Sequence, residues 1–572
     1  MQYRWRTLPE PQPSTVNALQ QQLGIDPALC TILAQRGIST FEEARQWFRP
    51  QLSHLHDPFL MLNMATAVER INTAIAQNER ILIYGDYDVD GTTAVSLMYS
   101  FLKKHYPHID TYIPDRYKEG YGVSLTGIDY AEDNGMSLII ALDCGIKAID
   151  KVEYASSKGI DFIICDHHRP GATIPKAVAV LDPKQEDCEY PFDELSGCGV
   201  GFKLVQALCK AWQLPDEEWH PLLDLLAISI GADIVPIVGE NRVLAYFGLQ
   251  LINSTPRAGI KLLIDLSGKK TKALTITDVV FMIGPRINAA GRISHGRLAV
   301  ELLTGEDING LEDLSKTINE HNNERKELDS NITLSALEMI ATEADPNRRS
   351  TVVFDKTWHK GVIGIVASRL IENHYRPTIV FTESNGVLAG SARSVKGFDI
   401  YNALDQCSDV LEQFGGHMYA AGMTLKKERY EAFRQRFEEV VQRNILPDQL
   451  TPEIEIDCTV ELSSLNFKFY RVMMQMAPFG PQNMAPTFQT HNLLDAGSKV
   501  VGADQTHLRL VLREPKSGVV LTGIAFGMAD KISILRAGKP VSVAYHLDEN
   551  EFNGNVNLQM RVKDVKLTEE LA

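Results

Sequence analysis

From residue 81 onward, short apolar runs alternate with segments of helical spacing. Ile81-Leu82-Ile83-Tyr84-Gly85 precedes the helix-like TTAVSLMYSFLKK, and Asp110-Thr111-Tyr112-Ile113 reads as the next strand. SLIIALD at 137–143 precedes KAIDKVEYASSKG, and DFIIC at 161–165 and AVAVLD at 177–182 add two further strands. Strand-length apolar runs separated by helices long enough to cross over predict a parallel sheet covered on both faces. Sheets of this kind bind ligands beyond the carboxyl ends of their strands. DLLAISIGAD reads as a helix that closes on Asp233.

The same patterning divides the chain. The first 60 residues form a helical lead-in: Pro9, Pro11 and Pro13 disfavour regular structure, after which VNALQQQLG and TFEEARQWF have helical spacing, the second capped by Thr40. An α/β domain over 61–304 begins with the amphipathic segment 66–80. Residues 305–349 are a polar connector of one helix or two, broken at Pro346. A second α/β domain over 350–447 starts at TVVFD and continues through the helix GIVASRLIENHY, the strand PTIVFT and the helix ERYEAFRQRFEEVVQRN. Over 452–572, EIEIDCTV, FQTHNLLDAGSKVV, HLRLVLRE, VLTGIAF, VSVAYHLDEN and NLQMRVKDVKL read as strands, with a turn at Asn553-Gly554-Asn555. Near-alternating apolar residues there predict a small β-barrel.

Ionisable residues gather where strands should end. Asp86, Asp88 and Asp90 alternate in GDYDVDG, Asp143 follows SLIIAL, and Cys165-Asp166-His167-His168-Arg169 follows DFII. Three carboxylates in so small a volume repel one another, and a divalent ion would remove that penalty. Two adjacent imidazoles behind a carboxylate are costly to bury without a metal or a charge partner. Each feature has a plainer reading: an exposed acidic turn for GDYDVDG, a helix cap for Asp143, a turn for Asp233. Their repetition at successive strand ends favours a metal-dependent hydrolase. Asp166 is suited to orient an imidazole, while one histidine ligates metal and the other faces a phosphate or leaving group. Oxygen-rich, histidine-poor ligation favours Mg2+ or Mn2+ over zinc.

Composition narrows the classes. A chain of 572 residues is too long for one core, and its 44% hydrophobic and 23% charged residues are those of a folded protein. No apolar stretch is long enough to span a bilayer, and the N-terminus lacks a signal-like apolar core, which predicts a cytoplasmic protein with no membrane partner. Eight cysteines without a CxxC pair fit reduced, buried thiols. A net charge of −16 argues against broad non-specific nucleic-acid binding, yet leaves room for a basic groove on an acidic body. ATP hydrolysis has no support, because GxxxxGK[ST] is missing from the sequence.

GDYDVDG, ALDCG, CDHH and GAD occur in the order found in the DHH phosphoesterase family, and the chain resembles that family. The resemblance extends through GPRINAAGRISHG (284–296), WHKGVIGIVASRL (358–370), GSARS (390–394) and FGGHMYAAG (414–422) to the branch of bacterial single-strand-specific 5'-to-3' DNA exonucleases. It implies a DHH-type parallel-sheet catalytic domain, a DHH-associated α/β domain and a C-terminal oligonucleotide-binding β-barrel. It implies two divalent ions, Mn2+ or Mg2+, held by Asp88, Asp90, Asp143, His167 and Asp233, with Asp143 bridging and His168 facing the scissile phosphate. Asp86 joins the metal set where related enzymes carry a histidine at the position of Tyr84. Asp143, Asp166 and His168 are the expected catalytic groups.

Grip on the strand is expected from Arg116, Arg286, Asn288 and Arg292, the last three in a Gly- and Ala-rich segment that would let a strand approach closely. Ser391, Arg393 and His417 are expected to take a terminal 5' phosphate, with His359 weaker. Tyr117 and Tyr121 suit base stacking or plain packing, and Lys468, Arg471, Arg509 and Arg513 are candidates on the barrel. The implied activity is hydrolysis of single-stranded DNA from the 5' end to 5' mononucleotides, in DNA repair and recombination, with a helicase and a single-strand-binding protein as partners. Two other readings stay open: a DHH phosphodiesterase of short oligonucleotides or cyclic dinucleotides, and a strand-binding relative without hydrolysis.

Overall fold

The computed structural model describes residues 2–269, 273–342, 347–552 and 554–571. They fall into two compact units. The first comprises residues 49–325 with 477–484, and the second comprises 1–48, 326–476 and 485–572.

The first unit is built on five parallel strands: β1 (Arg80–Gly85), β2 (Ile109–Tyr112), β3 (Met136–Leu142), β4 (Asp161–Cys165) and β5 (Ala179–Leu181). Their spatial order is β2-β1-β3-β4-β5. Both faces are covered, and successive residues divide between them. Ile81, Ile83, Leu138, Ile140 and Ile163 enter one core. Leu82, Tyr84, Ile139, Ala141, Phe162 and Ile164 enter the other. The strand order reverses between β1 and β3, so a crevice opens beyond the ends of those two strands. Asp86 and Asp143 are the next residues in the chain. Helices α1 (Val89–His105), α2 (Gly197–Ala211) and α3 (Leu223–Ala232) pack against the first core and end or begin near the crevice.

One expectation changes here, and one open alternative closes. GPRINAAGRI forms helix α4 (Gly284–Ile293) and does not lie open as a strand-binding segment. Its small residues let the helix approach the acidic turn: a Cβ on Gly291 would lie 2.8 Å from the Tyr87 carbonyl oxygen. The connector is one 35-residue helix, α5 (Ile308–Thr342). The break expected at Pro346 lies outside the described residues.

In the second unit the strands β6 (Thr351–Phe354), β7 (Thr378–Ser384), β8 (Val387–Arg393), β9 (Gln413–His417) and β10 (Ala420–Leu425) form a sheet of order β9-β10-β8-β7-β6. Only β6 and β7 are parallel. The Gly- and Ala-rich motifs GSARS and FGGHMYAAG are therefore strands. The barrel strands are β11 (Phe488–Asp495), β12 (Lys499–Val501), β13 (His507–Arg513), β14 (Val520–Ala525), β15 (Val541–Phe552) and β16 (Asn555–Leu567). Pairing runs β11-β15-β16-β14-β13, and Leu494 opposite Arg513 closes the ring back to β11. Closure pairs these five strands into a ring. The turn expected at Asn553 lies outside the described residues.

The expected strand EIEIDCTV divides: Cys458–Thr459 joins the barrel sheet in parallel with β11, and EIEI does not. Glu453–Ile456 pairs in parallel with Arg4–Thr7, a strand in the lead-in that was expected to be irregular or helical. Pro27–Gln35 is a helix the patterning did not single out. Lys468 and Arg471 sit on a helix, Phe467–Met474, while Arg509 and Arg513 alternate with buried Leu508, Leu510 and Leu512 and face outward. Among the described residues no helix is long and apolar enough to cross a membrane.

Candidate metal centre

The three aspartates of GDYDVDG lie on a strand end, a cap and a helix start, not on one extended run. Asp86 follows β1, Asp88 is the N-cap of α1 with Oδ1 accepting from Gly91 N at 2.9 Å, and Asp90 stands in the first turn. This tight turn needs Gly91, because a Cβ there would meet the Asp86 backbone at 2.4 Å. Asp90 is held from outside its own helix. Gly197 N and Cys198 N, at the start of α2, donate to it at 2.7 and 2.9 Å, and Ser229 Oγ of α3 donates at 2.6 Å. Asp143 follows β3 with φ of 59° and lies against Gly197, where a Cβ would come within 2.5 Å of the Asp143 side chain. Asp233 is the C-cap of α3.

These elements converge on His167. Its Nε2 lies 3.2 Å from Asp143 Oδ1, 3.6 Å from Asp233 Oδ2 and 3.7 Å from Asp90 Oδ2. Both ring nitrogens are buried, and among the described residues neither has a hydrogen-bond partner. Burial holds its pKa below the usual histidine range. Burial, and then the neighbouring aspartates, push the Asp143 and Asp233 carboxyls far above the usual range. Asp88 is raised by burial and by Asp90. Asp86 is pushed up to about 8 by burial and by Asp88, and its Oδ2 is another buried atom without a partner. A neutral imidazole, crowded carboxylates and orphaned donor atoms are what a bound divalent cation would relieve, and the oxygen-rich set fits Mg2+ or Mn2+. Two overlapping groups have the needed spacing: Asp90, His167 and Asp233; and Asp143, His167 and His168.

Asp166 orients His168, not His167. Its carboxylate accepts from Ile146 N at 2.9 Å, from His167 N at 2.8 Å and from His168 Nδ1 at 2.8 Å. A carboxylate only accepts, so Nδ1 carries the hydrogen and Nε2 is turned outward, 3.1 Å from the Tyr121 hydroxyl. Burial opposes charge on His168, but the Asp166 hydrogen bond and charge outweigh it and raise the pKa to about 9. Tyr121 is 57% exposed beside this ring. Tyr84 is occupied, its hydroxyl donating to Gly122 O at 2.9 Å, so it offers nothing to a metal.

The expected strand-gripping residues separate. Arg286 is a correction: it is buried, donating to Asn319 Oδ1 at 3.0 Å, Met282 O at 2.6 Å and Leu266 O at 3.4 Å, and so it ties helices together. Asn288 and Arg292 are half-buried on the same helix, and the Arg292 carbonyl accepts from Tyr117, whose hydroxyl is thereby used in packing. Arg116 stacks over Tyr87 at 4.8 Å, next to the acidic turn. In the second unit Ser391, Arg393 and His417 share one sheet. Ala420 stands between Arg393 and His417, and Arg393 Nη1 donates to Ser391 Oγ at 3.1 Å. A Cβ on Gly364 would lie 2.9 Å from both of these side chains, so the glycine leaves them room.

Two features escaped the patterning. Asp182, directly after β5, is fully buried, has an unpartnered Oδ2 and is pushed up to about 7 by burial. It ends the run AVAVL, the same signal that marked Asp143. The other is Ile234, a β-branched residue at φ of 62°, a conformation that costs about 1–3 kcal/mol.

The DHH family, N-terminal domain model matches residues 80–230, the DHHA1 domain model 347–443 and the RecJ OB domain model 456–564. The chain is 38% identical to the single-stranded-DNA-specific exonuclease RecJ of Bacillus subtilis over 99% of its own length and 71% of that protein. It is 32% identical to the RecJ of Escherichia coli over 95% of its own length and 96% of that protein. A crystal structure of RecJ from Thermus thermophilus in complex with Mn2+ superposes with a TM-score of 0.85 at 26% identity, covering 99% of this chain and 79% of that one.

Proposed function

The chain belongs to the RecJ family of DHH-domain exonucleases, and from that premise we propose that it degrades single-stranded DNA from the 5' end, releasing 5' mononucleotides by metal-assisted hydrolysis. The observation that carries the reading is His167, buried with two partnerless nitrogens among three carboxylates. Asp88, Asp90, Asp143, His167 and Asp233 are the residues that would hold two divalent ions, Mn2+ or Mg2+, with Asp86 beside them. Such ions would lower the pKa of water so that it loses a proton and attacks phosphorus as hydroxide, and would offset charge on the reacting phosphate.

The protein's own groups do the rest. The α2 N-terminus and Ser229 fix the Asp90 carboxylate, so its remaining lone pairs keep one direction. Asp166 keeps the proton on His168 Nδ1 and leaves Nε2 facing outward. A charged His168 there neutralises the scissile phosphate and can hand its Nε2 proton to the 3' oxygen of the departing nucleotide. The phosphate then stays on the shortened strand, which regenerates a 5'-phosphorylated end for the next cycle. Ser391, Arg393 and His417 suit that phosphate, and Arg116, Asn288 and Arg292 suit the strand beside the centre. Residues 61–304 would be the catalytic domain, 350–447 the substrate-binding domain and 452–572 the barrel that guides the strand. We place the protein in the cytoplasm, with a helicase that exposes the strand and a single-strand-binding protein that delivers it.

The test is hydrolysis of an end-labelled, 5'-phosphorylated single strand beside a duplex and an RNA strand, with Mn2+, Mg2+ or chelator. Mononucleotides released from the 5' end of the DNA single strand, only with metal, are expected. Cleavage of dinucleotides alone, or strand binding without cleavage in either metal, would overturn the reading.

A further inference from the structure

We propose that Ile234 is a substrate-contacting residue, its side chain forming the apolar surface on which a nucleobase rests while its phosphate lies at the metal-binding carboxylates. The proposal rests on the reading of this centre as a strand-cleaving site.

Four residues, Ile234-Val235-Pro236-Ile237, follow Asp233. Ile237 is fully buried and Val235 nearly so, whereas Ile234 is 64% exposed. Its φ of 62° is adopted without strain by glycine and readily by asparagine, and least readily by a β-branched residue. The loop around it is held on several sides. Asn241 Nδ2 donates to Pro236 O at 3.1 Å and to Glu194 O at 2.6 Å. Ile237 N donates to Pro481 O at 2.8 Å, and Gly480 packs so tightly that a Cβ there would lie 2.5 Å from Ile237. The backbone conformation is thus imposed by its surroundings. If only the turn mattered, a glycine or asparagine would serve it better. A large apolar side chain that is both strained and turned to water contributes nothing to the core, so its use lies outside the folded chain.

Its position says what that use is. Asp233, the preceding residue, has its carboxylate 3.6 Å from His167. A second exposed apolar side chain, Phe281, is 73% exposed in the π-helical turn Val279–Ile283. That turn packs on the same end of α3, with Val279 against Gly231 and Gly284 against Ala232. The centre is otherwise carboxylates, imidazoles and a tyrosine. A nucleic acid strand offers phosphates, sugars and bases, and only the bases present broad apolar faces. In a duplex those faces are stacked away, and in a single strand they are available.

A two-by-two comparison of base and side chain tests this. The full-length protein is given two 5'-phosphorylated single strands, one natural and one abasic over its first few nucleotides. The wild type is expected to favour the natural strand by about tenfold in kcat/KM. Ile234→Gly and Ile234→Asn, both suited to the left-handed backbone, are expected to bring that ratio towards one while keeping or raising Tm. Equal slowing on both strands, with the preference intact, would mean that Ile234 only supports Asp233 and would overturn the proposal. So would a substantial fall in Tm, which would make Ile234 a packing residue. A wild type that cleaves neither strand would instead overturn the reading of the site itself.

Discussion

Two buried polar clusters share the first unit and could hardly differ more. Around His167 stand carboxylates that repel one another, with ring nitrogens and the Asp86 Oδ2 left without partners. Around Lys203 every group is answered. Its ammonium lies 2.5 Å from Glu240 Oε1 and donates to Gln206 Oε1 at 2.9 Å and His56 O at 3.2 Å. Glu240 also accepts from Tyr190 at 2.6 Å and from His56 N at 2.9 Å. The second cluster balances within the chain and ties His56 to α2. The first does not, and a deficit of positive charge at the point where the sheet reverses is the signature of a site built for something outside the chain.

The sharpest way to break this comparison is to remove one charged group from each. Asp143→Ala is expected to lower strand cleavage by about a thousandfold or more, while strand affinity largely persists. The same change takes away a repelling carboxylate, so the metal-free protein should melt at a higher temperature than wild type. Near-normal cleavage at saturating metal would contradict the central role of Asp143. In the other cluster, Lys203→Met leaves Glu240 buried without its cation, and should cost about 3–5 kcal/mol of stability in denaturant unfolding. Pairing it with Glu240→Leu should recover much of that loss. If both single changes moved stability in the same direction, the contrast between the clusters would be false.

How legible this was depends on range. The parallel sheet and its acidic strand ends are local signals: an apolar run, then an aspartate, repeated at Asp86, Asp143 and Asp166. Asp182 carries the same signal, but no motif follows it. Long-range partners left no trace in the pattern. Nothing in Arg4–Thr7 announces that it pairs with Glu453–Ile456. Nothing in GPRINAAGR tells that Arg286 turns inward to Asn319 while the glycine spacing serves the approach to Tyr87. The clamp on Asp90 by Gly197, Cys198 and Ser229 exists only once three helices meet. Periodicity gives the face of an element, and the identity of what faces it comes from topology.

Metal addition sharpens the contrast at a smaller scale. A cation that binds only the folded state stabilises it by mass action, about 2.7 kcal/mol at roughly 100 times its Kd. Mn2+ should therefore raise the Tm of the wild type, raise that of Lys203→Met by a similar free energy, and do little for Asp143→Ala. An equal rise in all three proteins would place the binding elsewhere.

The second unit offers a control for His167. His546, in the barrel, is likewise held neutral by burial, which lowers its pKa to about 4 against the opposing hydrogen bond from Nδ1 to Pro486 O at 2.8 Å. The difference is that its nitrogen is satisfied by the chain, so no ligand is needed to explain it. The unfolded histidine takes up its proton near pH 6.5 and the folded one only near 4, so between those values the unfolded state binds more protons. Stability conferred by the neutral ring is full above pH 6.5 and is lost as pH falls towards 4, by an amount on the order of 3 kcal/mol. His546→Gln, which keeps a donor and cannot titrate, should flatten that dependence in the metal-free protein. It should leave untouched the Tm rise on adding Mn2+, because the ring it removes was never short of a partner.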